Sequence, residues 1–246
     1  IMIAGFGAYF EQELEINKLI GSAILAILSY IIFTTSVKGV VKVNEILVPI
    51  LIIFITIIGL INLKSIDLFN IQNYVIRTNE SNSILSGILY ASYNSILLIP
   101  VLITLKDYLK DKKQIKIISI LTTFIILLLA IILFLLLIKV DVDITKLEMP
   151  IVYVVSNMFR GLKTVYGFII LGSILTTSIS LGTSFLQNTS KNKKSYTQIA
   201  IIMCITSVLV SQIGFSNLIN LLYPIFGYLG LIQIGVLILK KQKHNS

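Results

Sequence analysis

The sequence predicts an all-α protein, a polytopic helical bundle embedded in a membrane. Three observations carry this. First, 56% of the 246 residues are hydrophobic and only 13% are charged, with a mean hydropathy of +0.96; a soluble domain of this size would carry about a quarter charged residues. Second, the apolar residues fall in long runs separated by short charged segments. The spans are therefore helices, because barrel strands would be about ten residues long with alternating polarity. Third, the charges divide unevenly between alternate loops.

The chain opens with IMIAGFGAYF, where Gly5 and Gly7 lie beside Ala4 and Ala8. Small residues let membrane helices approach closely. Ten residues make about 15 Å of helix, half a bilayer, so this stretch is read as the second half of a span whose beginning lies outside the sequence. It has no basic region ahead of it and is not a signal peptide. Glu11, Glu13 and Glu15 follow as an acidic loop. Spans are then expected over residues 18–37 and 46–63, the latter with Pro49 in its first turn, where proline is tolerated. Residues 64–82 form a polar loop long enough for a short surface helix.

Residues 83–105, SILSGILYASYNSILLIPVLITL, are apolar enough to span, yet their middle carries Tyr90, Ser92, Tyr93, Asn94 and Ser95, with Gly87 before and Pro100 after. Polar or irregular backbone at membrane depth persists only where protein or a water-filled cavity surrounds it, and interrupted helices of this kind form solute sites in secondary transporters. Close packing of small residues against a neighbouring helix explains the same composition. Residues 117–138 are nearly all Ile and Leu and are expected to face lipid. Residues 150–161 are too short to span and are read as a short helix on or dipping into one membrane face. Further spans are expected over 162–186, 196–212 and 215–239.

Orientation follows from the loops. Lys38, Lys42, Lys106, Lys110, Lys112, Lys113, Lys116, Lys191, Lys193, Lys194, Lys240, Lys241 and Lys243 lie on one side, with only Glu45, Asp107 and Asp111 among them. The other side holds seven basic residues and eight acids. The positive-inside rule places the lysine-rich side, and with it the C-terminus, in the cytoplasm of a cell-membrane protein. The basic charge thus reports topology, and no nucleic-acid partner is expected. Membrane lipid is.

A second polar stretch, GSILTTSISLGTS, places Ser173, Thr176, Thr177, Ser180, Thr183 and Ser184 at helical spacing on one face. Such a face can offer neutral oxygens to a hard cation. Equally, its hydroxyls can bond back to the preceding turn or join two helices. No paired carboxylate, Ser/His/Asp set or phosphate-cradling glycine loop is present, so an enzyme is not expected. Cys204 and His244 are single, which leaves no disulfide and no metal-ligand cluster. The spans show no clear intramembrane acid or lysine of the kind that relays protons.

The polar-interrupted helix, the hydroxyl-striped helix, the closing SQIGFSNLINLLYPIFGYLG and the opening IMIAGFGAYFEQ together resemble the YkvI-like family of bacterial membrane proteins. That family is similar to the amino acid–polyamine–organocation superfamily, with the leucine-transporter fold of two inverted five-helix repeats. The resemblance implies one membrane domain over 1–246, in which 1–63 end the first repeat and 83–240 form the second, the first two helices being absent. It implies secondary transport of a small, amino acid-like solute by alternating access. Solute contacts would fall on Gly5, Tyr9, Tyr90, Ala91, Ser92, Tyr93, Asn94 and Ser95, the last five residues on an unwound segment. Sodium is the coupling ion the resemblance implies, on a half-site of Ser173, Thr176 and Thr177, with no other cofactor. The alternative is a non-transporting scaffold or sensor using the same fold.

Overall fold

Helix α1 (Met2–Leu14) is the centre of the bundle, and Ile3 through Tyr9 are all buried. A helix enclosed on every side needs small residues wherever a neighbour crosses. At Gly7 an added Cβ would lie 2.5 Å from the Ser22 hydroxyl and 2.6 Å from the Lys18 carbonyl, so α2 (Lys18–Thr35) lies almost backbone to backbone on α1. The α2 residues turned inward, Ser22, Leu25, Ala26, Ser29 and Phe33, follow the helical repeat.

The protein is described here from a computed structural model. It describes residues 1–35, 38–63, 83–105, 109, 111–138, 147–158 and 161–245. The remaining elements are α3 (Lys38–Leu63), α4 (Ser83–Leu105), α5 (Lys112–Leu137), α6 (Pro150–Met158), α7 (Lys163–Thr189), α8 (Lys193–Ser211) and α9 (Phe215–Asn245). All are α-helices. Five of them, α2, α5, α7, α8 and α9, are long and apolar enough to cross a membrane, while α3 and α4 hold shorter apolar stretches, Glu45–Ile61 and Ser83–Ile99.

Helix α7 touches α1, α2, α3, α4, α6 and α8, and so carries most of the packing between the two halves of the chain. One apolar cluster joins Tyr9, Ile58, Leu136, Val152, Val155 and Tyr166; another joins Phe6, Leu25, Phe33, Ile179, Leu186 and Ala200. Helix α5 buries only Ile132 and Leu136 of its length, with Phe124 64% exposed. This agrees with its expected lipid-facing role. Helices α4 and α9 form the tightest pair. Cβ atoms added at Gly227 and Gly230 would run into the α4 backbone at Leu89 and Ser92, one turn apart on each helix.

Three expectations change. Glu11 and Glu13 do not lie in a loop: α1 runs on to Leu14 and ends at Glu15, whose φ of 57° is left-handed, with Ile16 N–H donating to the Phe10 carbonyl. Pro49 is not in a first turn, because the polar residues from Lys38 onward already form helix and put it inside α3. Residues 91–95 are not unwound: α4 is continuous. Helix α6 is short as expected, with Val152, Val154 and Val155 buried against the bundle. The surface helix expected within 64–82 lies outside the described residues.

The α4–α9 contact gives a contrast to measure. Gly230→Ala should lower stability by about 1–3 kcal/mol, because the new methyl meets backbone that cannot yield. Gly87→Ala, on the same pair but in open space, should be neutral or stabilising by about 0.5–1 kcal/mol through helix propensity. Thermal unfolding of both variants in detergent checks this.

Candidate functional site

The residues expected to contact solute divide between two neighbourhoods. Gly5 faces the Phe215 ring, which would lie 3.0 Å from a Cβ placed there. Tyr9 is 4% exposed, and its hydroxyl occupies the space left by the missing side chain of Gly167 on α7. The α4 residues pack on α9. The Tyr93 ring lies 4.3 Å from Tyr223 and 6.4 Å from Phe226, and Tyr90 lies 5.6 Å from Tyr223. Ser92 and Tyr93 are buried, Ser95 is half-buried, and Tyr90, Ala91 and Asn94 are exposed. Helix α7 packs on both α1 and α4 and is the element the two groups share.

The continuity of α4 has a local cause. Ser92 Oγ donates to the Ile88 carbonyl at 2.8 Å and Asn94 Nδ2 to the Tyr90 carbonyl at 2.8 Å. Each polar side chain is satisfied by its own preceding turn, so the helix can carry them without breaking.

On α7 both readings of the hydroxyl stripe find residues. Thr176 Oγ1 donates to the Ser173 carbonyl at 3.1 Å and Ser180 Oγ to the Thr176 carbonyl at 2.8 Å. The Ser173 and Thr183 hydroxyls, by contrast, are buried with no hydrogen-bond partner among the described residues. Thr176 is buried, Ser173 half-buried and Thr177 exposed. Consecutive helical residues point about 100° apart, so Thr176 and Thr177 cannot share one orientation.

A cavity of about 290 Å³, mostly apolar in its wall but carrying five hydroxyl side chains, lies elsewhere, between the start of α1 and helices α2, α7 and α8. Ser29, Ser178, Thr206, Ser207 and Ser211 line it, with Phe33, Met203 and Leu218 supplying apolar wall, and no charged side chain is among its lining residues. Ser29 Oγ is buried there without a partner among the described residues. At its edge, Ser211 Oγ donates to Ser22 Oγ at 3.0 Å, Ser22 Oγ to the Ile3 carbonyl at 3.2 Å, and Gln212 Nε2 to Ser211 Oγ at 3.1 Å. This chain joins α1, α2 and α8. Sequence reasoning missed these residues. The available signal was Ser22 and Ser29 seven apart on α2, opposite Thr206, Ser207 and Ser211 on α8.

The chain is 32% identical over 249 residues to YkvI, an uncharacterized membrane protein of Bacillus subtilis strain 168, and the match takes in 98% of this chain and 69% of that protein. The chain belongs to the YkvI family of membrane proteins. A second relative from the same organism, the uncharacterized protein YyaD, is 25% identical over 241 residues, covering 97% of this chain and 70% of its own length. No family model and no solved structure matches. Within the YkvI family, then, the α2–α8 contact can be tested directly. Ser211→Ala should cost about 0.6–1.7 kcal/mol, the range for hydrogen bonds between membrane helices. Ser29→Ala removes an unpartnered hydroxyl and should be neutral or stabilising by about 1 kcal/mol. Unfolding midpoints of the two variants in detergent give the comparison.

Proposed function

We propose that this chain forms the membrane domain of a secondary transporter for a small organic solute, amino acid-like in size, working by alternating access. The observation that carries this is polarity without pairing inside an apolar bundle. Among the described residues Ser29, Ser173 and Thr183 keep buried hydroxyls with no partner, and Ser29 lines a cavity whose largely apolar wall carries four further hydroxyl side chains. Unpaired polar groups in such surroundings cost about 1–3 kcal/mol each, and in membrane proteins polar residues facing the bundle interior mark solute and ion paths.

In this proposal Gly5 and Tyr9 on α1 and the 90–95 turns of α4 face the solute, with α7 between them. Ser173, Thr176 and Thr177 contribute oxygens to a sodium ion that drives uptake. The unpartnered Ser173 hydroxyl supports that role. The exposed Thr177 would require a further element to close the site. The proposal also takes the arrangement as the two inverted repeats of the leucine-transporter fold, residues 1–63 ending one and 83–240 forming the other. The lysine-rich loops favour a cell-membrane protein with its C-terminus in the cytoplasm.

A second reading, a non-transporting scaffold or sensor, is favoured by one feature: α4 is unbroken and offers no free backbone groups to a solute. Uptake separates the two. In proteoliposomes of the intact protein, a sodium gradient should drive uptake of at least one member of a panel of radiolabelled amino acids. Ser173→Ala and Thr176→Ala should each reduce that uptake about tenfold or more, as expected for lost ion contacts worth ~1.4 kcal/mol. Wild-type vesicles that accumulate none of the panel above protein-free controls would favour the scaffold.

A further inference from the structure

Glu13 is the unexpected charge. Its side chain is only 6% exposed, and its carboxylate lies 3.1 Å from Lys163 Nζ at the start of α7. Ser156 Oγ on α6 donates to Glu13 Oε2 at 3.1 Å, and Gln12 Nε2 donates to Glu13 Oε1 at 2.9 Å. Gln12 in turn grips the residue before α6 on both sides of its backbone: Met149 N–H donates to Gln12 Oε1 at 2.9 Å, and Gln12 Nε2 donates to the Met149 carbonyl at 3.3 Å. Next to it, Glu148 Oε2 accepts from Ser216 N–H at 2.7 Å and from Ser216 Oγ at 2.9 Å. That places a carboxylate on the first turn of α9, where the helix dipole favours it.

We infer that residues 147–158 are a strap, latched across one end of the bundle by Glu13, which releases when the Glu13–Lys163 pair is broken. The strap is held at its start by Gln12 and by the α9 cap, and at its end by Ser156 on Glu13. Beneath it, Val152 and Val155 pack in the cluster that contains Tyr9 and Tyr166. The latch has two states because of where its charges sit. Lys163 is 41% exposed and can exchange its partner for water. Glu13 cannot be hydrated without opening the packing around it, and a buried carboxylate stripped of its cation is strongly destabilising. Losing the pair therefore lifts the strap as a unit and exposes Val152 and Val155 at that end. Glu11 and Glu15, exposed on the same helix end, are left in water in both states. The latch holds whether or not the bundle transports a solute.

Hydrogen exchange read by mass spectrometry on the intact protein in detergent tests this. Glu13→Gln and Lys163→Gln should each speed exchange of the 147–158 amides about tenfold, while α8 keeps its wild-type protection. The double variant should be no faster than the single Glu13→Gln variant, because both changes open the same latch. Lys163→Gln changes a partly exposed residue and guards against a misfolded Glu13 variant. Three results would overturn the inference: unchanged exchange at 147–158 in both single variants, faster exchange spread evenly over all helices, or effects that multiply in the double variant.

Discussion

The enclosure of α1 sets the terms for the rest of the bundle. Seven consecutive residues from Ile3 to Tyr9 are buried, so every neighbour must come close and every backbone group must be satisfied within the helix itself. Gly7 accepts α2, Gly167 on α7 accepts the Tyr9 ring, and Gly5 lies against Phe215. Association of helices inside a membrane gains nothing from expelling water. It depends on van der Waals contact and a few hydrogen bonds. The small residues are what make that contact available, and larger side chains at those points would hold the helices apart.

The same need for contact explains where the polarity went. Several hydroxyls in the described helices are turned back onto their own carbonyls, as with Ser92, Thr176 and Ser180, at little cost to packing. Others tie helices together, as Ser22 and Ser211 do. Among the described residues, Ser29, Ser173 and Thr183 are buried and satisfied by neither route. A bundle could replace these with alanine and lose no hydrogen bond. Their presence is the feature most in need of a functional account.

The spans were legible because length and apolarity suffice to locate them. The expected boundaries of the long helices differ from the observed ones mainly where charged turns extend them, at Lys38 and Lys112. Hydropathy treats Glu13 as loop because it scores the charge and cannot see Lys163, distant in sequence and 3.1 Å away in space. The α7 stripe was found by counting hydroxyls. Which of them face inward depends on how the helix is rotated against its neighbours, and that rotation is fixed by packing on α1 and α3. Hence Ser178 lines the cavity while Thr177, one residue away, is exposed. The break expected in α4 failed for a related reason. Polar composition at membrane depth demands satisfaction, and Ser and Asn can obtain it within the helix.

The continuity of α4 and its tight seating on α9 bear on how the bundle could move. Backbone contact at Gly227 and Gly230 leaves no room for sliding between the two helices without steric conflict, whereas Tyr93 and Phe226 interlock beside it. The pair is therefore built to move as one body if it moves at all. The frame it would move against is equally defined, since α1, α2, α7 and α8 are joined through α1 and through the Ser22–Ser211 bond. Between these two bodies lie the α4–α7 contact, without the glycine seating that locks α4 to α9, and the smaller contact of Gly5 on α1 with Phe215 on α9. Rearrangement is cheapest where contact is least intimate, so these boundaries, together with the strap at residues 147–158, are where a change of state would be concentrated.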